Sequence, residues 1–225
     1  MWWAARCTGT RGERRVRAVS PERLVEELAT LIAERSQGHD AGGWLRVAFD
    51  GADAADPGTL ADALVDPLRV LGHPVVRVRA EDQLRPASLR LERGRTDPDS
   101  FYEDWLDTEG LAREVLDPLE QGGSGRVRAV RWDAEADRAA RTPAEVMPDG
   151  AVLLMSGPLL LGRWLAFDLT VHLELSPAAL ARRTPADLEW TLPAYARYVD
   201  EVDPAAVADV VVRLDDPRHP AVARP

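Results

Sequence analysis

The segment Gly51-Ala52-Asp53-Ala54-Ala55-Asp56-Pro57-Gly58-Thr59 lies between an apolar run, Trp44 to Phe49, and a stretch from Pro57 to Leu71 whose Leu60, Leu64, Leu68 and Leu71 form one helical stripe. A glycine-opened loop between a strand and a helix is where consecutive backbone N–H groups can cradle phosphate, with a lysine and a hydroxyl completing the site. Set against the G-x-x-x-x-G-K-[ST] template, Gly51 fits and the last three fixed positions do not. Pro57 supplies neither an ammonium group nor an N–H, and Gly58 has no hydroxyl, although Thr59 is one residue further on. Asp56 places a carboxylate where a phosphate would pass, and like charges about 4 Å apart repel by roughly 4 kcal/mol at an effective dielectric of 20. The chain has no lysine at all, so only arginine could restore the missing charge. The same residues also make a good helix start: Asp56 as N-cap, accepting from the N–H of Gly58 or Thr59, and Pro57 in the first turn.

Glu81 and Asp82 follow a second apolar strand, where a carboxylate can reach a substrate hydroxyl and act as general base. The plainer alternative is a solvated acidic pair held by Arg79 or Arg85. His39, His73, His172 and His219 are isolated in sequence and show no zinc-ligand spacing, so no metal site is assigned. Trp44, Trp105, Trp132, Trp164 and Trp190 read as core or helix-packing residues rather than a base-stacking platform. There is no G-x-S-x-G elbow.

The elements that must position these groups are legible from periodicity. Ser20-Pro21 starts a helix that runs through Arg35, with Leu24, Leu28, Leu31 and Ile32 on one face. Strands are expected at Trp44 to Phe49, Val75 to Val78, Ala151 to Met155, Leu169 to Leu175 and Val207 to Leu214, with an excursion strand at Val127 to Trp132. Leu111 to Leu119 returns to helical spacing. Continuous apolar strands alternating with helices predict an α/β fold whose mainly parallel five-stranded sheet is covered on both faces and binds ligands at the strands' carboxyl ends. Residues 1–19, basic and without a sustained apolar period, are expected to be a flexible arm; residues 20–225 form one α/β domain, its last residues an extended tail.

The residues around the loop, Val47 to Ala55 and Thr59-Leu60-Ala61-Asp62-Ala63-Leu64, resemble the bacterial uridine-kinase pattern, with Asp56-Pro57-Gly58-Thr59 standing where that family has Gly-Lys-Thr-Thr. Glu81-Asp82-Gln83-Leu84-Arg85-Pro86 is similar to the family's Asp-Asp-Phe-x-Arg-Pro stretch, and Arg95 to Tyr102 to the segment after it. Leu116-Asp117-Pro118-Leu119, the Gly122 to Gly125 turn, Trp132-Asp133, the Ser156-Gly157 strand end, Arg182-Arg183, Arg197-Tyr198 and Ala208-Asp209 continue the series in order, so the resemblance covers Trp44 to Leu214.

The resemblance to the uridine kinase/phosphoribulokinase family implies a P-loop kinase fold with three α/β/α layers, ATP and magnesium as cofactors, and phosphorylation of a nucleoside such as uridine or cytidine. It gives Glu81 or Asp82 the role of catalytic base. Nucleotide binding falls to Gly51, Ala54, Ala55, Asp56, Gly58 and Thr59, with Arg182 and Arg183 as lid arginines; Arg163 is a further possible donor. Asp97, Tyr102, Asp133 and Arg138 would orient the sugar or base. Ser156 stands where the family has an acidic residue that helps hold magnesium, and Thr184-Pro185 interrupts the lid. These departures oppose ATP binding in the usual pose, so the expected protein is uridine-kinase-like with phosphotransfer weakened or lost. The alternative is a non-catalytic binding or regulatory protein on the same fold.

A chain of 225 residues with 45% hydrophobic content can bury a sizeable core. Its apolar runs fall far short of the roughly 20 residues that cross a bilayer, the amino terminus has no signal-peptide stretch, and Cys7 as the only cysteine excludes an internal disulfide. A cytoplasmic protein with no membrane partner is expected. The formal charge of -10 argues against nucleic-acid binding. Homo-oligomerisation stays open.

Overall fold

The computed structural model describes residues 16–38 and 43–223. Helix α1, Pro21–Gln37, begins as its sequence predicts: Ser20 is the N-cap and its hydroxyl accepts from the N–H of Arg23. Strand β2, Leu45–Gly51, is buried along almost its whole length, as a strand covered on both faces must be. After the loop come α2, Pro57–Ala63, and α3, Val65–Val70. The single helix expected over Pro57 to Leu71 is thus two, divided at Leu64, three residues before Pro67, whose ring removes one helical N–H.

The parallel strands β3 (Val75–Arg79), β4 (Val152–Gly157), β5 (Leu169–Glu174) and β6 (Val210–Arg213) match the predicted ones. The sheet holds two more, β1 (Val16–Ala18) and β7 (Ala221–Ala223), and its order is β1-β7-β6-β5-β2-β4-β3. Pairings from β6 to β3 are parallel, and β7 pairs antiparallel with both β6 and β1. The five-stranded expectation therefore describes the parallel part of a seven-stranded sheet. Val16–Ala18 belong to the sheet rather than to a flexible arm, and the tail expected to be merely extended supplies β7. Three-residue strands carry too little periodicity to be read alone; they exist because each completes the other's ladder. Residues 1–15 and His39 lie outside the described residues.

Alternation along β2 sends Val47 and Phe49 to one face, against Leu28 and Ile32 of α1 and Leu64 and Leu68 of the α2–α3 pair. Ala48 and Asp50 point to the other face. That layer is built from α4 (Pro98–Glu103), the continuous helical stretch from Thr108 to Leu119, and α6 (Leu192–Val202), and Leu111, Leu116, Leu153, Met155, Tyr195 and Tyr198 fill it. The excursion after Leu119 holds two ribbons instead of one strand, Arg126–Val127 with Glu145–Val146 and Trp132–Asp133 with Arg138–Ala139. Arg46 clamps the start of β5 to β2 through a bidentate pair with Asp168, Nε to Oδ2 at 3.0 Å and Nη2 to Oδ1 at 2.9 Å.

Val222 is 5% exposed in the middle of β7. Val222→Asp should lower unfolding stability by about 3 kcal/mol or more, because an unpaired carboxylate would replace a buried methyl pair. A urea midpoint unchanged from wild type would show that the tail does not pack on the sheet.

Candidate functional site

The loop after β2 keeps the backbone of a phosphate site and uses its donors elsewhere. Gly51 ends the strand with no room for a side chain: a Cβ there would lie 2.9 Å from the Leu173 Cβ and 3.0 Å from the Leu173 carbonyl oxygen. Asp53–Ala55 makes one 3-10 turn, and Asp56 follows in the left-handed region at φ 53°. The template places its second glycine here, and aspartate is among the few other residues that tolerate this conformation. The Asp56 carboxylate then accepts from the Thr59 N–H at 3.0 Å and caps α2. The Ala55 N–H goes to the Ala52 carbonyl at 2.7 Å, the Asp56 N–H to the Asp53 carbonyl at 3.0 Å, and the Asp53 N–H to the Tyr195 hydroxyl at 3.4 Å. Pro57 has no N–H to offer.

Beside the loop is a cleft of about 450 Å³, lined by Asp53, Asp56, Asp62 and Glu81 together with Arg79 and Ser156. Arg79 is shared between Asp62 and Glu81, each at 3.4 Å. Arg77 lies between β3 and α2 and binds Asp62 at 2.7 Å, the Ser156 hydroxyl at 3.0 Å and the Leu154 carbonyl at 2.5 Å. Arg77 is therefore committed to the protein, whereas the two contacts of Arg79 are long and exposed. Partial desolvation, and after it the charge of Glu81, hold the Asp53 carboxyl above its ordinary range. The same two causes raise Asp82. Such a cleft repels anions.

Magnesium and the phosphates of ATP do not fit this donor set. The ammonium is missing, the Ala55, Asp56 and Thr59 amides are engaged by the loop itself, and the hydroxyl in the acidic residue's place is held by Arg77.

The other predicted site residues are scattered. Glu81 reaches the cleft, whereas Asp82 is not among its lining residues. Asp97 caps α4 through the Ser100 N–H at 2.7 Å. Tyr102 is covered by the guanidinium of Arg197, 4.5 Å from the ring centre, and its hydroxyl donates to Glu201 at 3.2 Å. Asp133 and Arg138 pair with each other at 3.8 Å across their ribbon. Arg182 and Arg183 end α5 (Pro177–Arg183), and Arg183 donates to the Leu214 carbonyl at 2.8 Å. Arg163 is spent on the carbonyls of Leu159 and Tyr102. Asp97, Tyr102, Asp133, Arg138, Arg182 and Arg183 are all absent from the cleft lining. Trp105 and Trp190 pack edge-on or tilted in a cluster with Phe101, as expected of packing residues, but Trp164 is fully exposed on a left-handed residue at φ 57°.

The sequence reading missed a buried network next to the loop. Asp50 is fully buried; its Oδ2 accepts from His172 Nδ1 at 2.7 Å and from the Tyr198 hydroxyl at 3.1 Å, and its Oδ1 accepts from the Leu160 N–H at 2.8 Å. The Tyr198 hydroxyl accepts in turn from the Leu161 N–H at 2.9 Å. The one available signal was the charge of Asp50 directly after the apolar run Val47 to Phe49.

A mainly parallel sheet with helices on both faces, and a glycine-opened loop leading from its central strand into a helix, define the P-loop kinase fold. Three solved structures share it. The chain is similar to a possible uridine kinase from Bacillus stearothermophilus, with a TM-score of 0.64 and 19% identity over 84% of this chain and 98% of the other. It is also similar to a putative fructose transport system kinase from Silicibacter sp. TM1040, with a TM-score of 0.59 and 22% identity over 79% of this chain and 94% of the other. The YGR205w protein gives a TM-score of 0.51 at 10% identity, over 91% of this chain and 98% of the other. No protein-family model and no curated protein matches the sequence. Among the described residues, no helix is long and apolar enough to cross a membrane and no cluster of three metal-ligating side chains occurs.

Asp50→Ala should cost at least about 3 kcal/mol, because three buried donors lose their acceptor.

Proposed function

We propose that this chain is a uridine-kinase-like protein of the P-loop kinase fold in which ATP-dependent phosphorylation of a nucleoside hydroxyl is weakened or lost, and that it serves as a non-catalytic small-molecule-binding protein. The observation that carries this reading is the Asp56 carboxylate bound to the Thr59 N–H. A helix N-terminus attracts one anion, and here a side chain of the chain itself takes that position. An ATP phosphate entering the loop would have to displace Asp56, leave its charge beside the phosphate and find no lysine to offset either.

Glu81 retains the chemistry of a proton acceptor at the end of β3, which is what remains of the kinase reading. Its ion pair with Arg79 is exposed and weak, so Glu81 stays available to a substrate hydroxyl. With phosphotransfer gone, this residue would orient a ligand by accepting a hydrogen bond. The net charge of -10 and the acidic cleft favour a small, non-anionic partner in the cytoplasm over nucleic acid.

Thermal unfolding with and without millimolar magnesium-ATP tests the reading. The wild-type midpoint should not move. The combined change Asp56→Gly, Pro57→Lys and Gly58→Thr, which restores the template, should bring a rise of about 3 °C on adding the nucleotide. Uridine-dependent ATP turnover by the wild type, abolished by Glu81→Ala, would overturn the reading.

A further inference from the structure

A second, larger cavity lies under α6, on the same face of the sheet as Asp50. It measures about 800 Å³, within the range of small-molecule sites, and its walls include Leu159, His172, Leu180, Tyr195, Tyr198 and Val199. The carboxyl half of β5 lines it together with α5 and α6, and β6 reaches it only at Arg213. Charge is confined to the rim, where Glu174, Asp200, Asp203 and Asp215 stand against Arg213 alone. Arg213 is already engaged by Glu174, Nε to Oε2 at 2.7 Å.

One imidazole ring is set into this mainly apolar lining, beside Tyr195 and Tyr198. His172 is 8% exposed, and Asp50 takes its Nδ1. Among the described residues no hydrogen bond engages its Nε2. An ionised carboxylate can only accept, so Nδ1 carries the hydrogen of that bond, and in that tautomer of the uncharged imidazole Nε2 is an acceptor. His172 lines the cavity and its Nε2 has no partner from the described chain, so that hydrogen bond is left to a donor from outside it. Asp50 also holds the ring's orientation, as in sites where a carboxylate fixes the tautomer of a working histidine.

We propose that this cavity binds an aromatic small molecule that is uncharged or carries an amine, with an N–H or O–H donated to His172 Nε2 and the ring packed against Leu159, Leu180 and Val199. With Glu174 paired to Arg213, the remaining rim carboxylates, Asp200, Asp203 and Asp215, disfavour anionic ligands. The site uses none of the loop amides, so it stands or falls separately from the loss of phosphotransfer.

The test uses 1-aminoanthracene, whose fluorescence reports transfer to an apolar site, and anthracene-1-carboxylate as an anion of the same ring size. The amine should bind the full chain saturably, and the carboxylate at least roughly tenfold more weakly. His172→Gln removes the free ring nitrogen and should weaken amine binding roughly tenfold. Ala196→Trp fills the cavity from an exposed position on α6 and should do the same without disturbing the core. Circular dichroism identifies variants that remain folded. The proposal is overturned by any of four results: no saturable amine signal from the wild type, equal affinity for the carboxylate, unchanged affinity in either folded variant, or displacement of the amine by magnesium-ATP.

Discussion

The carboxylate of Asp50 is wholly withdrawn from water, a position that an ionised group can hold only when its oxygens are engaged. Its partners come from separate parts of the chain: His172 on β5, the Leu160 N–H in the segment after β4, and Tyr198 on α6. One side chain thereby sets the end of the central strand against its neighbours on both sides and against the covering helix. Gly51 follows immediately, so the loop starts from a point that this network has fixed. Tyr198 extends the restraint to the Leu161 N–H, and Tyr195, one helical turn earlier, reaches the Asp53 N–H inside the loop itself.

Held at that height, the loop retains the shape of a phosphate cradle while its chemistry is reversed. Asp56 keeps the left-handed backbone of the glycine it stands for, so the turn into α2 is preserved. Its carboxylate makes the N-cap bond that the position allows, and the helix start gains what the nucleotide site has lost. Across the cleft, Arg77 is held by Asp62 and Ser156 rather than left to meet a ligand, and Arg79 stands among Asp62 and Glu81. The result is a negative cleft on the side where phosphate would sit, and a larger apolar cavity on the other side of the network, with His172 between the network and the cavity.

The parallel strands were legible because each is rich in β-branched and other apolar residues, and α1 because Ser20-Pro21 and its leucine stripe act locally. The cap at Asp56 was legible for the same reason: the carboxylate and the amide that it binds are three residues apart. By contrast, β1 is three residues long and owes its existence to pairing with β7 across some two hundred residues, while β7, equally short, is held between β1 and β6. Trp164 reads as a packing residue by type, yet a left-handed backbone in the loop after β4 turns it fully to solvent. Asp97, Tyr102, Asp133 and Arg138 were singled out by order along the chain, which carries no information about whether separate loops converge; here each is spent on a cap, a stack or a ribbon pair.

From its sequence alone, the chain determined its parallel α/β core, its helix starts and the loss of the loop's ammonium, amide and hydroxyl, since all three depend on residue type and close spacing. Tertiary structure decided which charges meet. Asp50 and His172 are 122 residues apart in sequence and form a 2.7 Å contact because β2 and β5 are neighbours in register, Asp50 opposite His172. No periodicity announces such a pair. It takes the sheet to bring them side by side and the helix above them to exclude water.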